Sequence, residues 1–142
     1  MAHRILIATS RYYEHISHEL EAGVAEALEG EDVVCETIEV PGAFEVPGVI
    51  AMAADSAQYD GYIALGCVIR GETSHYDYVC GESARGLMSL AVERRLAIGY
   101  GILTVENEEQ ALVRADRKKK NKGRDAAQAC LAMLKLRKKF VR

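Results

Sequence analysis

Four short apolar runs, each followed by a segment of helical period, constrain this chain more than any other feature. The runs cover residues 4–9, 33–40, 62–69 and 97–105. Runs of this length, bounded by Gly, Pro and polar residues, suit strands buried on both faces. Residues Tyr13, Ile16, Leu20, Val24 and Ala27 then recur at helical spacing, and Gly30 is a helix stop. Pro47 suits the first position of a helix that runs to about Ala54. A longer helix is expected from about Tyr76 to Leu96, with Val79, Cys80, Leu87, Leu90 and Ala91 for its inner face. A short helix over 107–115 and a final one over 122–139 follow. Strands that alternate with helices predict an α/β protein with a parallel sheet covered on both faces. The charges within 33–40 put that strand nearer an edge, and Gly99 and Gly101 loosen the fourth strand.

Open parallel sheets form their sites outside the carboxyl ends of the strands. Three stretches fall there: Arg11-Tyr12, Pro41 to Glu45, and Arg70 to His75. The third leads from a strand through a short polar turn into a helix. That arrangement aims backbone N–H groups and a helix dipole at an anion. Gly71-Glu72-Thr73 adds a hydroxyl and forms a reasonable phosphate cradle. It matches neither a Walker A loop nor a G-x-G-x-x-G fingerprint. His75 is the one side chain of the turn that titrates near neutral pH. A mobile anion also needs a cation. Arg114, Arg117, Lys118, Lys119, Lys120, Lys122 and Arg124 are all candidates, with arginine best suited to bidentate phosphate recognition.

Tyr12, Phe44 and Tyr100 stand at or near strand ends. Each could stack on a planar heterocycle or pack into the core. Glu45, isolated in an apolar turn, could accept hydrogen bonds from ligand hydroxyls or serve as a cap. There is no G-x-S-x-G elbow and no Cys paired with a nearby His in sequence. His3, His15, His18 and His75 do not have metal-ligand spacing, so metal catalysis is not expected.

Composition narrows the classes further. A chain of 142 residues favours one domain, 1–142, with a real core. Residues 1–113 carry 19 acidic and 6 basic side chains, whereas 114–142 carry 2 and 12. A basic third of this kind can bind nucleic acid, but no aromatic platform is interleaved with it and the whole-chain pI is near 5.8. We therefore expect no nucleic-acid partner. No apolar run approaches the ~20 residues that span a bilayer, and the N-terminal residues lack a signal-peptide pattern. Cys35, Cys67, Cys80 and Cys130 are scattered, without a C-x-x-C pair. Buried free thiols in a reducing cytoplasm are the expected reading.

Three groups of segments carry a family resemblance. They are Val40-Pro41-Gly42-Ala43-Phe44-Glu45-Val46-Pro47; Ala64-Leu65-Gly66-Cys67-Val68-Ile69-Arg70-Gly71-Glu72-Thr73-Ser74-His75-Tyr76-Asp77-Tyr78-Val79; and Tyr100-Gly101-Ile102-Leu103-Thr104-Val105-Glu106-Asn107. The last is followed by Glu109-Gln110-Ala111, Arg114-Ala115 and Asn121-Lys122-Gly123. In order and spacing the chain resembles the lumazine synthases over nearly its whole length. The resemblance implies a flavodoxin-like, three-layer α/β/α fold with a four-stranded parallel sheet. It also implies an enzyme of riboflavin biosynthesis, which condenses 5-amino-6-(D-ribitylamino)uracil with 3,4-dihydroxy-2-butanone 4-phosphate to 6,7-dimethyl-8-ribityllumazine, phosphate and water. The resemblance implies no cofactor.

Carried over by position, the resemblance implies that Tyr12 stacks on the pyrimidine. Ala43, Phe44 and Glu45 would hold the ribityl chain and ring edge, and Cys67, Val68 and Ile69 would line the uracil pocket. Glu72, Thr73 and Arg114 would bind the phosphate, and His75 would transfer protons. Tyr100 would approach from a neighbouring subunit, because the resemblance implies a pentamer, closed in some relatives into a sixty-subunit shell. Tyr13, Ala97, Asp125 and the basic 116–120 turn depart from the family pattern. An archaeal-type riboflavin synthase and a non-catalytic flavin-binding shell protein are the alternatives at this stage.

Overall fold

The computed structural model describes residues 2–140. The elements in chain order are β1 (His3–Ser10), α1 (Glu14–Leu28), β2 (Val33–Val40), a single 3-10 turn (Ala43–Glu45) and α2 (Val46–Asp55). They continue with β3 (Gly61–Ile69), α3 (His75–Arg94), β4 (Ala97–Val105), α4 (Glu108–Ala115) and α5 (Lys122–Phe140). The strands form one sheet in the order β2-β1-β3-β4, every neighbouring pair parallel. Helices α1, α4 and α5 cover one face, α2 and α3 the other. This is the covered parallel sheet expected from the alternating pattern, in the three-layer, flavodoxin-like arrangement that the resemblance implied.

Burial follows from position in the sheet. In β1 and β3, at its centre, Ile5, Leu6, Ala8, Ile63, Ala64 and Leu65 are fully buried. β2 is an edge strand, and most of its residues are exposed. The expectation that all four cysteines are buried therefore fails at two. Cys35 is exposed on this edge and Cys80 is only partly covered on α3, whereas Cys67 and Cys130 are buried. A strand that lacks a neighbour on one side and a helix over both faces leaves its side chains in water, whatever its apolar content.

The helices dock through the spacing that the sequence carries. Ile16, Leu20 and Val24 of α1, four residues apart, are completely buried. Full burial of such a side chain contributes about 1.5–3 kcal/mol. On α3 the buried positions are Val79, Ser83 and Leu87, with Leu90 partly covered, so Cys80 and Ala91 fall to the side of the expected face.

The two glycines of β4 have a different purpose from the one expected. A Cβ on Gly99 would lie 1.9 Å from the Ala126 carbonyl oxygen, and one on Gly101 would lie 2.7 Å from Leu65 Cδ2. They are the places where α5 lies directly against the strand, so they tighten the packing of β4 instead of loosening it.

Candidate active site

Strand order reverses about β1 and β3: the chain leaves β1 toward β2 on one side and returns across it to β3 on the other. The connections after β1 and β3 therefore diverge and leave a crevice at their carboxyl ends. A cavity of about 650 Å³ occupies it, lined from three connections. Ser10, Tyr12 and Tyr13 come from the end of β1, Pro41 to Glu45 from the turn after β2, and Cys67 to Ile69 from the end of β3. His75, Tyr78 and Val79 add the first turn of α3.

Each wall is fixed by local interactions. Behind Tyr12, Arg11 grips Glu21 of α1 with two donors, Nε at 2.9 Å and NH2 at 2.7 Å, and pairs with Glu39 of β2 at 3.5 Å. The buried Ser17 hydroxyl donates to the Ser10 carbonyl at 2.7 Å, and Thr9 Oγ1 donates to Glu21 at 3.2 Å. The β1–α1 turn is thus pinned by buried and half-buried polar groups, which leaves Tyr12 75% exposed with its ring free. Tyr13 turns inward, edge-on to Tyr12 with ring centroids 5.0 Å apart. Burial raises the phenol pKa of Tyr13, so at neutral pH it remains a hydrogen-bond donor.

The second wall is the 3-10 turn. Ala43 is buried against the floor, while Phe44 and Glu45 face solvent at the rim. Glu45 Oε1 folds back to within 3.2 Å of where a Cβ on Gly42 would stand. The floor is apolar: Cys67 is buried, and beside it a Cβ on Gly66 would touch Ala43 and Ser10 at 3.6 Å. Burial pushes the Cys67 thiol up to about 12, so it is a neutral surface and not a nucleophile. At the mouth, the His75 N–H donates to Thr73 Oγ1 at 3.3 Å as α3 begins, and its ring is exposed.

Of the residues selected from the sequence, Tyr12, Ala43, Phe44, Glu45, Cys67, Val68, Ile69 and His75 line this one cavity. Glu72 and Thr73 are exposed on the turn between Ile69 and His75, beside the lining but not part of it. Tyr100 and Arg114 do not line it. Tyr100 projects from the edge strand β4, 44% exposed, and Arg114 on α4 donates from NH1 to the Gln110 carbonyl at 3.1 Å. Core packing, the alternative considered for the three aromatics, is absent: Tyr12, Phe44 and Tyr100 are all exposed.

One lining aromatic, Tyr78, escaped the sequence reading. Tyr13, read both as an apolar position at helical spacing and as a departure from the family pattern, is not among the site residues selected from the sequence. Tyr78 carried a usable signal, since it stands three residues after His75 on the same helical face.

The cavity can take a planar ring against an aromatic wall, a polyol beside a carboxylate, and an anion near a helix N-terminus. Comparison with known proteins agrees with that chemistry. The family profile described as 6,7-dimethyl-8-ribityllumazine synthase matches residues 2–138. The enzyme of that name from Sphingopyxis alaskensis is 57% identical over 140 residues, covering 99% of this chain and 98% of the relative. Those from Novosphingobium aromaticivorans and Erythrobacter litoralis are 55% and 54% identical over 137 residues, each covering 96% of this chain and 98% and 97% of the relative. The chain belongs to the 6,7-dimethyl-8-ribityllumazine synthase family, enzymes of riboflavin biosynthesis.

Proposed function

We propose that 5-amino-6-(D-ribitylamino)uracil and 3,4-dihydroxy-2-butanone 4-phosphate meet in the cavity at the β1–β3 junction. The observation that carries this reading is the convergence of Tyr12, Ala43–Glu45, Cys67–Ile69 and His75 on a single cavity of about 650 Å³. That volume lies within the usual range of small-molecule sites, roughly 300–1,000 Å³. Tyr12 stacks on the pyrimidine, whose edge meets Cys67, Val68 and Ile69. Glu45 accepts from ribityl hydroxyls, with Ala43 and Phe44 alongside. The backbone N–H of Glu72 and the hydroxyl of Thr73 present donors to the phosphate at the α3 N-terminus, where the helix dipole favours negative charge.

Chemistry then needs little beyond proton traffic and alignment. The uracil 5-amine forms a bond to the butanone carbonyl carbon, and that oxygen leaves as a first water to give an imine. Loss of the neighbouring C–H proton then lets phosphate depart with the electrons of its C–O bond, and the resulting enol becomes a ketone. The ribityl-bearing nitrogen closes the ring on that ketone carbon, and its oxygen leaves as a second water. His75, at the cavity mouth, takes protons from the nitrogens and carbon and returns them to the leaving oxygens. Holding both substrates in register supplies most of the remaining acceleration.

Tyr100 and Arg114 enter the site from a neighbouring copy. Neither lines the cavity of its own chain, and Tyr100 stands on the open edge strand. A cyclic assembly, which we take to be a pentamer, fits this and would cover Met52, Tyr78, Met88 and Val92, large apolar side chains exposed on α2 and α3. Among the described residues no helix is long and apolar enough to cross a membrane, and a cytoplasmic location fits the free thiols. The test is direct: purified chain with both substrates should produce fluorescent lumazine and release one phosphate per turn. A folded protein without turnover at micromolar concentration would reject the reading.

A further inference from the structure

Arg70 is the first residue after β3 and stands one step before the Gly71-Glu72-Thr73 turn. Its N–H donates to the Val105 carbonyl at 3.0 Å, extending the β3–β4 pairing by one position. Its guanidinium then reaches two further elements. Nε donates to Glu106, just beyond β4, at 2.9 Å to Oε1 and 3.2 Å to Oε2. NH1 meets Asp77 Oδ1, in the first turn of α3, at 3.4 Å. The same guanidinium lies over the Tyr76 ring, 4.3 Å from its centroid. One planar cation thus joins the ends of β3 and β4 to the start of α3.

The turn strung between those points has little else to hold it. Residues Gly71, Glu72, Thr73 and Ser74 are exposed. A Cβ on Gly71 would meet nothing within 4 Å, and the Ser74 side chain makes no cap to α3. The local charge is also unfavourable to an anion, since Glu72, Asp77 and Glu106 all surround the turn as exposed carboxylates. Exposed ion pairs contribute little to folding stability, so stability alone does not account for a four-point grip.

We infer that Arg70 is a positioning residue for the anion-binding turn, fixing residues 71–75 by gripping Glu106, Asp77 and Tyr76 together and neutralising the carboxylates that would repel a phosphate there. The inference rests on the assignment of this turn to the phosphate of the butanone substrate. Lysine cannot substitute, because one compact ammonium cannot reach Glu106, Asp77 and the Tyr76 ring at once, as nitrogens spread over a planar guanidinium do.

Arg70→Lys and Arg70→Gln in the full-length assembled enzyme test this, with two readouts. In steady-state kinetics both variants should raise KM for the butanone phosphate about tenfold, as expected for loss of charge-assisted contacts, and leave KM for the ribityl substrate within about twofold. Calorimetric titration with inorganic phosphate, which needs no turnover, should weaken by a similar factor, while the unfolding midpoint stays unchanged. Wild-type turnover with unaltered phosphate affinity in Arg70→Lys overturns the inference and leaves the assigned reaction standing. Equal rises in both KM values also overturn it. A wild type that binds phosphate but does not turn over, with binding lost in Arg70→Lys, supports the grip and rejects the reaction.

Discussion

The Ala126 carbonyl oxygen of α5 occupies the space that a Cβ on Gly99 of β4 would need, 1.9 Å from its ideal position. The obstacle is backbone, so no rotamer change relieves it. α5 can rest on the sheet only because β4 lacks a side chain there. Gly99→Ala should therefore cost about 3 kcal/mol, the upper end for overpacking, or prevent folding. Urea unfolding at fixed protein concentration reads the effect. A loss below about 0.5 kcal/mol, the size of an ordinary surface substitution, would mean that α5 does not sit where described.

Cys67 faces the cavity with its thiol pushed up to about 12 by burial. At pH 8 only about one thiol in ten thousand would be ionised. Iodoacetamide at that pH should leave Cys67 unmodified while labelling the exposed Cys35, and labelling of Cys67 should rise only as pH approaches 12. Peptide mass spectrometry distinguishes the two sites. Rapid labelling of Cys67 at pH 8 would show an ionised thiol and reopen a nucleophilic role.

His75 stands at the mouth of the cavity, beside the turn assigned to phosphate. His75→Ala should lower kcat about 100-fold, the lower range for loss of a general acid–base group. The dissociation constants of both substrates should change little, since the walls that hold them remain. Stopped-flow turnover with separate binding titrations checks this. An unchanged kcat would remove His75 from the proton transfers.

Much of the fold was legible because two strands are buried on both faces and announce themselves as apolar runs, 4–9 and 62–69. The charges of β2 pointed correctly to an edge, yet Cys35 was assigned to the interior on residue type alone. The β4 glycines were read as weakness because a strand pattern says nothing about what packs above it; their meaning lies in α5, more than 20 residues further on. The cavity was legible because strand ends mark sites in parallel sheets. Tyr13 was hidden by helical spacing, which cannot tell a core position from a pocket wall. Tyr100 and Arg114 stand apart from the rest because neither lines the cavity of its own chain, and only the family resemblance, not a local pattern, assigned Tyr100 to a neighbouring subunit.

The claim at the centre of this account is that one copy's cavity is completed by Tyr100 and Arg114 of another. His75→Ala and Arg114→Ala chains, each strongly impaired alone, test it most directly when unfolded, mixed in equal amounts and reassembled together. If the site is shared, random neighbours in a ring pair an intact His75 with an intact Arg114 at about a quarter of the sites, and activity should recover to about that fraction of wild type. Activity that stays at the mean of the two parents would contradict the shared site and confine the reaction to a single chain.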